Sequence, residues 1–146
     1  MSKFHDEFFH RGTPEHDRLV LQTIAARNEI VSFIFDEGVV EYQTEVICKG
    51  RNGFIIGYAD IVFQYTPINE DAKGVAFIVE CKPTLNSWGD TLRQLKTYMD
   101  LLRFKLNMEQ FGLIITYSTV DTETIGVLLH ENVGLRTLDR ETGKLL

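Results

Sequence analysis

Three charged side chains lie inside two segments that are otherwise rich in β-branched and aromatic residues. Asp60 belongs to the segment 53–63, and Glu80 and Lys82 are two residues apart in the segment 74–82. The composition of both segments predicts strands. Strands tolerate Asp poorly and a buried unpaired charge is costly, so each of these side chains needs a physical reason.

The spacing of the two predicted strands brings the carboxylates together. Residues 65–73 contain Pro, Asn and Asp, which predicts a turn region, and symmetric pairing about Glu70 places Asp60 opposite Glu80. Opposed residues of an antiparallel pair have Cβ atoms about 5 Å apart. Two carboxylates at that distance repel unless a proton or a cation lies between them, and a hard divalent cation with oxygen ligands suits that position.

Side chains alternate between the faces of a strand, so Glu80 and Lys82 share one face and Cys81 points to the other. We therefore expect Cys81 to point into a core and the charged pair to point out of it. The alternative interpretation is a Glu–Lys pair on a solvated sheet face together with an unrelated Asp60.

The chain has 146 residues, which predicts one domain over 1–146. Its composition, 44% hydrophobic and 25% charged, is typical of a soluble globular protein and excludes a disordered one. No apolar run approaches the roughly 18 to 20 residues of a membrane span, and the polar start lacks a signal-peptide core, so we expect no membrane contact and a cytoplasmic location.

Cys48 and Cys81 are interpreted as buried thiols rather than a disulfide, and two thiolates cannot by themselves bind a structural zinc or an iron–sulfur cluster.

The formal net charge of −6 bears on nucleic-acid binding. A protein that holds duplex DNA mainly through phosphates usually carries an excess of Lys and Arg. The charge therefore favours a small or transient DNA footprint, or a partner that supplies the grip.

The remaining segments predict an α/β sandwich with a mixed sheet, because helices and strands alternate after an initial run of strands. A crossover connection joins the long helix to the strand that follows it. Residues 1–12 are expected to form a short helix or an irregular arm. The predicted elements are a helix from Thr13-Pro14 to about Asn28, strands over 30–35, 39–48, 53–63 and 74–82, a long helix after Ser87, a strand over 111–117, a helix over 121–131 and a strand over 133–138.

Two helices carry further polar residues. Gln94 and Tyr98 are four residues apart, so they share a face that should flank the apolar stripe of the long helix. Arg93 and Lys96 add cations that we expect near the carboxylate strands. The plainer interpretation is that these are ordinary half-exposed helix residues, and His16 in the opening turn of the first helix could equally be part of its capping region.

Taken in order, four short motifs resemble those of the PD-(D/E)xK nuclease superfamily. They are most similar to those of its RecB-like exonuclease branch and of the nuclease domain that opens type I restriction enzyme motor subunits. The resemblance covers about residues 12–117 and implies a restriction-endonuclease-like αβββαβ core, with a mixed central sheet flanked by helices. Ala59 replaces the Pro of the family name, a frequent departure. The motifs are Gly12-x-x-x-His16, Gly57-x-x-Asp60, Glu80-x-Lys82 and Gln94-x-x-x-Tyr98.

The resemblance implies a role for each of these positions. Asp60 and Glu80 would be carboxylate ligands of Mg²⁺ or Mn²⁺, and the backbone carbonyl of Cys81 would add an oxygen. Lys82 would hold the attacking water or stabilise charge on the phosphate. His16 would be a further metal ligand, for which Glu15 and Glu29 are alternatives. Gln94 and Tyr98 would position the scissile strand. Arg93 and Lys96 would contact the nucleic acid.

The resemblance thus implies a metal-dependent deoxyribonuclease with DNA as its partner. Because the chain is small, we expect it to act as a homodimer, on DNA structure, or with a partner subunit. The alternatives are a non-catalytic DNA- or protein-binding module on the same fold and the nuclease subunit of a larger complex. An acidic interaction protein is disfavoured, since the acidic residues do not form long runs.

Overall fold

The structure is a computed structural model that describes residues 13–32, 37–68 and 74–146. The prediction for residues 1–12 lies outside these ranges. No helix within them is both long and apolar enough to cross a membrane. The elements in chain order are α1 (Pro14–Ala25), α2 (Arg27–Ser32), β1 (Gly38–Lys49), β2 (Ile55–Pro67), β3 (Val75–Lys82), α3 (Trp88–Leu106), β4 (Glu109–Thr116), α4 (Thr122–His130) and β5 (Val133–Thr137).

The five strands form one sheet in the order β1-β2-β3-β4-β5. β1, β2 and β3 are antiparallel neighbours, whereas β3, β4 and β5 are parallel. The parallel step from β3 to β4 runs through α3, as a crossover connection requires. The predicted mixed sheet and its crossover are confirmed.

The sheet separates two apolar cores. We call them the α1-side core and the α3-side core, after the helices that cover the two faces. Strand residues at alternating positions divide between them, as the pleat requires. The α1-side core includes Leu19, Ile30, Val31, Val40, Ile61, Phe63, Phe77, Val79 and Cys81. The α3-side core includes Val46, Cys48, Ala59, Val62, Ile78, Leu95, Tyr98, Leu102 and Ile114.

The pairing of β2 with β3 has the predicted register. Its pairs run from Ile61↔Val79 to Tyr65↔Val75, which is symmetric about position 70. Continued by one residue, this register places Asp60 opposite Glu80. The predicted turn region began too early, because β2 extends to Pro67, and residues 69–73 lie outside the described ranges.

The predicted strand over 30–35 is wrong for residues 30–32, which belong to helix α2, and its remaining residues, 33–35, lie outside the described ranges. Ile30 and Val31 are both buried in the α1-side core, although they are adjacent in sequence. A strand would turn one of the two away from that core, whereas the end of a short helix packed on the sheet can bury both. A short apolar run does not distinguish these cases by its periodicity.

β1 and β2 exchange faces at Glu45 and Asp60. Ala59 packs in the α3-side core and Ile61 in the α1-side core, although side chains two residues apart on a regular strand share a face. β1 makes the same change between Val40 and Val46. Glu45 is opposite Asp60 in the hairpin register and has a left-handed backbone, with φ of 49°. We call residues 46–59, beyond this irregularity, the hairpin arm.

Candidate active site

The first turn of α1 places His16 next to Asp60. Thr13 is the N-cap, and its Oγ1 accepts a hydrogen bond from the backbone N–H of His16 at 3.1 Å. Pro14 occupies the first turn, where its missing N–H costs nothing. With the helix start fixed in this way, His16 Nε2 lies 3.2 Å from Asp60 Oδ1.

The two alternatives to His16 lie elsewhere. Glu15 forms an ion pair with Arg140. Glu29 lies in α2, on the wall of a cavity whose other lining residues include Asn28 and Tyr65. Of the three candidate ligands, His16, Glu15 and Glu29, His16 is the one that the structure brings to Asp60.

Asp60 and Glu80 hold each other across β2 and β3. The backbone N–H of Asp60 donates to Glu80 Oε1 at 3.2 Å. The backbone N–H of Cys81 donates to Asp60 Oδ2 at 2.8 Å. These reciprocal hydrogen bonds occupy one oxygen of each carboxylate and leave Asp60 Oδ1 directed towards His16.

The expectation that Glu80 points out of the core is wrong, because the side chain is only 2% exposed. Its neighbour on the same strand face, Ile78, belongs to the α3-side core, and α3 covers this face. Burial raises the pKa of the Glu80 carboxyl well above its ordinary value, the charge of Asp60 raises it further, and the Lys82 ammonium opposes the shift. A solvated Glu–Lys surface pair does not describe this arrangement.

His16 lies between two carboxylates. Its Nδ1 is 3.4 Å from Asp17 Oδ1, on the side of the ring opposite Asp60. The pKa of His16 is raised, chiefly by the hydrogen bond with Asp60, although its partial burial acts in the other direction. The sequence reasoning missed Asp17. An acidic residue directly after a candidate histidine ligand is the signal that could have found it, since ligating histidines usually donate their second N–H to such a group.

Tyr98 lies within the apolar stripe of α3 rather than beside it, which corrects the sequence-based expectation. It is 6% exposed and belongs to the α3-side core. Its hydroxyl accepts a hydrogen bond from Gln94 Nε2 at 3.0 Å. Burial raises the pKa of the phenol, and the negative charge of Glu80 adds to the shift.

Gly57 provides the space in which Tyr98 packs. A Cβ at Gly57 would overlap the Tyr98 hydroxyl oxygen and lie 2.9 Å from its Cζ. The glycine three residues before Asp60 is therefore required by packing. It lets α3 approach the hairpin arm closely beside the carboxylates.

The two cations predicted to contact nucleic acid lie on other parts of the α3 surface. Arg93 is exposed and forms an ion pair with Asp90. Lys96 Nζ is 2.9 Å from Glu131 Oε2, at the end of α4. Positions two apart on a helix differ by about 200°, so Lys96 is turned away from Gln94. The structure brings Gln94 and Tyr98 towards the hairpin arm but does not bring Lys96 there.

The donor atoms at Asp60 suit a divalent cation. Two neighbouring ligands of an octahedral ion with bonds of about 2.1 Å are about 3 Å apart, and the His16–Asp60 contact has this spacing. Glu80 is buried beside them, where a cation would compensate its charge. Within the described ranges, however, no three His, Cys, Asp or Glu side chains are grouped to hold a metal ion. Glu80 would have to bring a carboxylate oxygen closer to Asp60 and His16 to become a third ligand.

Comparison with known proteins supports the fold. The sequence matches no family model and no curated protein. A protein of unknown function, AF1548, is similar at a TM-score of 0.53 and 15% identity, over 82% of this chain and 58% of that one. A repair endonuclease from Pyrococcus abyssi is similar at a TM-score of 0.50 and 18% identity, over 82% of this chain and 46% of that one.

The chain thus spans about half the length of these two proteins. The mixed sheet, which has five strands in the described part of the chain and is flanked by helices, is a restriction-endonuclease-like α/β fold. At this level of identity, the similarity concerns the fold, and the activity must be argued from the site itself.

Proposed function

We propose that this protein is a metal-dependent deoxyribonuclease of the PD-(D/E)xK type, which hydrolyses phosphodiester bonds with Mg²⁺ or Mn²⁺. The observation that carries the proposal is the carboxylate pair formed by the buried Glu80 and the half-buried Asp60, held by backbone hydrogen bonds across the two strands, with His16 beside Asp60. A buried carboxylate next to a second carboxylate is costly unless a proton or a cation compensates its charge. Burial at this cost suits a site that is completed by a metal ion.

The residues of this chain divide the work as follows. Asp60 Oδ1 and His16 Nε2 would bind the cation, with Glu80 and the Cys81 carbonyl as the further candidate ligands. Metal binding at Nε2 requires the loss of its proton, whereas a proton on Nδ1 remains with Asp17. Asp17 would thereby orient the imidazole ring.

A divalent cation bound here supplies Lewis-acid polarisation of a phosphoryl oxygen and lowers the pKa of a bound water. Lys82 follows Glu80 at the end of β3 and is half-buried, so its ammonium can donate hydrogen bonds to the attacking water and to the phosphate. Gln94 and Tyr98 brace β2 next to Asp60. Phosphoryl transfer needs mainly positioning and charge stabilisation, which these groups can provide.

The test is cleavage of supercoiled plasmid and of linear, flap and four-way-junction DNA in Mg²⁺ or Mn²⁺. We expect Lys82→Ala and Asp60→Asn to abolish cleavage while keeping the circular dichroism spectrum of the wild type. Lys144→Ala and Asp100→Asn are matched controls, because both replace exposed residues of the same types away from the site. Wild-type cleavage rates in either site variant would refute the proposal.

A non-catalytic binding module on the same fold gives a different result. Calorimetric titration with Mn²⁺ would then show binding that depends on Asp60, but no DNA in the panel would be cut. Such a result would remove the catalytic part of the proposal and retain the metal site.

A further inference from the structure

The hairpin arm, residues 46–59, extends beyond the pairing of β2 with β3 beside the candidate site. The β2–β3 ladder begins at Ile61, so the part of β2 before Asp60 is paired with β1 and not with β3. In the continued register Lys82 is opposite Tyr58. The end of the arm therefore projects beyond the end of β3, on the side where a substrate would approach Asp60 and Lys82.

The end of the arm exposes apolar side chains on both of its faces. Phe54 is 70% exposed, Ile55 50% and Ile56 55%. Successive residues of a strand point to opposite faces, so the exposure of both Ile55 and Ile56 means that neither face of the arm is covered there. Exposed apolar groups of this kind commonly mark a binding surface.

The charge of the arm favours a negatively charged partner. The chain carries 21 acidic residues, yet residues 46–59 contain none, and they include Lys49 and Arg51 in or next to the turn. Both cations are exposed. Cations next to an apolar tip suit a nucleic acid, because its backbone carries negative phosphates and its stacked bases can contact apolar side chains. All 21 acidic residues lie outside the arm, so the arm is the part of the chain that would repel a phosphate backbone least.

The base of the arm is held firmly. Val46, Cys48 and Ala59 are buried in the α3-side core, and Gly57 packs against the Tyr98 side chain. A wedge must keep its position to separate stacked bases, and an arm with a packed base and an uncovered tip meets that requirement. The left-handed Glu45 lies at the point beyond which β2 is paired with β1 and not with β3.

We propose that the tip of the hairpin arm is a DNA wedge, in which Phe54 and Ile55 insert at a base step while Lys49 and Arg51 contact the flanking phosphates. This inference rests on the proposed nuclease function and adds the substrate class, a duplex that is unstacked near the cut. At about 3.3 Å per residue, the tip lies about 17 to 20 Å from Asp60 along the strand. With about 3.4 Å per base pair, the wedge contacts the duplex about five or six base pairs from the cleaved phosphate.

The experiment uses 30-base-pair duplexes that carry 2-aminopurine at successive positions, with Ca²⁺ in place of Mg²⁺ so that binding is measured separately from cleavage. For the wild type we expect increased fluorescence at one step, about five or six base pairs from the phosphate cut in Mg²⁺. The double variant Phe54→Ser/Ile55→Ser should lose this signal and bind about tenfold more weakly. The matched control is Phe104→Ser/Leu129→Ser, since these two side chains are also exposed apolar residues and lie on helices.

The cations are tested by the salt dependence of binding. Lys49→Gln/Arg51→Gln should reduce the slope of log K against log salt by about 1.8, which corresponds to two phosphate contacts. Lys144→Gln/Arg140→Gln, which replaces cations outside the arm, should leave the slope unchanged.

The outcomes separate the two proposals. If the arm variants bind, unstack and cleave DNA like the wild type, the wedge is refuted and the nuclease stands. If the wild type cuts no DNA but shows arm-dependent unstacking, the nuclease is refuted and the wedge stands. If the wild type is a dimer that Phe54→Ser/Ile55→Ser converts to a monomer without any change in DNA affinity, the tip is a protein interface and the wedge is refuted.

Discussion

Replacing Glu80 by Gln is expected to stabilise the metal-free protein and to remove its stabilisation by a divalent cation. Glu80 is 2% exposed and its Oε1 accepts a hydrogen bond from the Asp60 N–H. Gln keeps the shape and that acceptor but removes the charge. The charge is unfavourable in the metal-free protein, because it is buried next to the carboxylate of Asp60.

The sign of the pH dependence follows from the direction of the pKa shift. The pKa of Glu80 in the folded protein is raised above its ordinary value of 4.5, so the folded state binds more protons than the unfolded state above that pH. Stability is therefore lost as the pH rises from about 4.5 through the folded pKa, with a limiting slope of about 1.4 kcal/mol per pH unit. The Gln variant lacks this loss. We expect it to be about 1 to 3 kcal/mol more stable than the wild type at pH 7.

His16 contributes a separate slope that both proteins retain. Its pKa is also raised in the folded protein, so its contribution is fully present below 6.5, the ordinary pKa of histidine, and is lost as the pH rises through the folded pKa. The comparison of the wild type with Glu80→Gln therefore isolates the carboxyl of Glu80. Glu41→Gln, at an exposed position of β1, controls for the change of residue type.

The assay is urea unfolding at pH values from 4 to 8, in EDTA and in Mn²⁺. A Mn²⁺ concentration of 100 times the dissociation constant should stabilise the wild type by about 2.7 kcal/mol and Glu80→Gln by much less. The reasoning is refuted if Glu80→Gln in EDTA is no more stable than the wild type at pH 7, or if their difference does not grow as the pH rises from 5.

Three further predictions concern the packing around the site. Gly57→Ala should destabilise the protein by about 1 to 3 kcal/mol, because its Cβ overlaps the Tyr98 hydroxyl. Adding Tyr98→Phe should recover part of this loss, and strictly additive urea-unfolding energies in the double-mutant cycle would contradict the proposed contact. Glu45→Val should be about 1 to 2 kcal/mol less stable than Glu45→Gly, since both variants remove the carboxylate but only the β-branched residue resists the left-handed backbone. Equal urea midpoints for the two variants would show that this position does not need the left-handed conformation. Burial raises the pKa of the Cys48 thiol to about 11, so we expect iodoacetamide at pH 8 to modify it only after unfolding. Mass spectrometry follows the modification, and rapid modification of the native protein would count against this packing.

The sequence by itself was sufficient for the elements that depend on local chemistry. Thr13-Pro14 fixed the start of α1, and the β-branched segments fixed β2 and β3. The register of β2 and β3 was also predictable, because a turn centred near residue 70 leaves few ways to pair two adjacent strands. The free, buried state of Cys48 and Cys81 is likewise confirmed.

Only the tertiary structure decided which side chains are buried and where they point. Periodicity placed Glu80 on a different face from Cys81, but whether that face is solvated depends on α3, which packs over it from a distant part of the chain. Tyr98 was assigned to the edge of the helix stripe, and its burial depends on the space left by Gly57. The short apolar run at Ile30 is helical, and the helix lets both Ile30 and Val31 pack in the α1-side core.

The site shows the same division. The types and spacing of Asp60, Glu80 and Lys82 were enough to predict a pair of strands with opposed carboxylates. The approach of His16 from α1, the support by Asp17 and the end of the β2–β3 pairing at Ile61 required the folded chain. A local pattern can specify backbone conformation, since that depends on neighbouring residues, whereas contacts between distant segments depend on how whole helices and strands pack together.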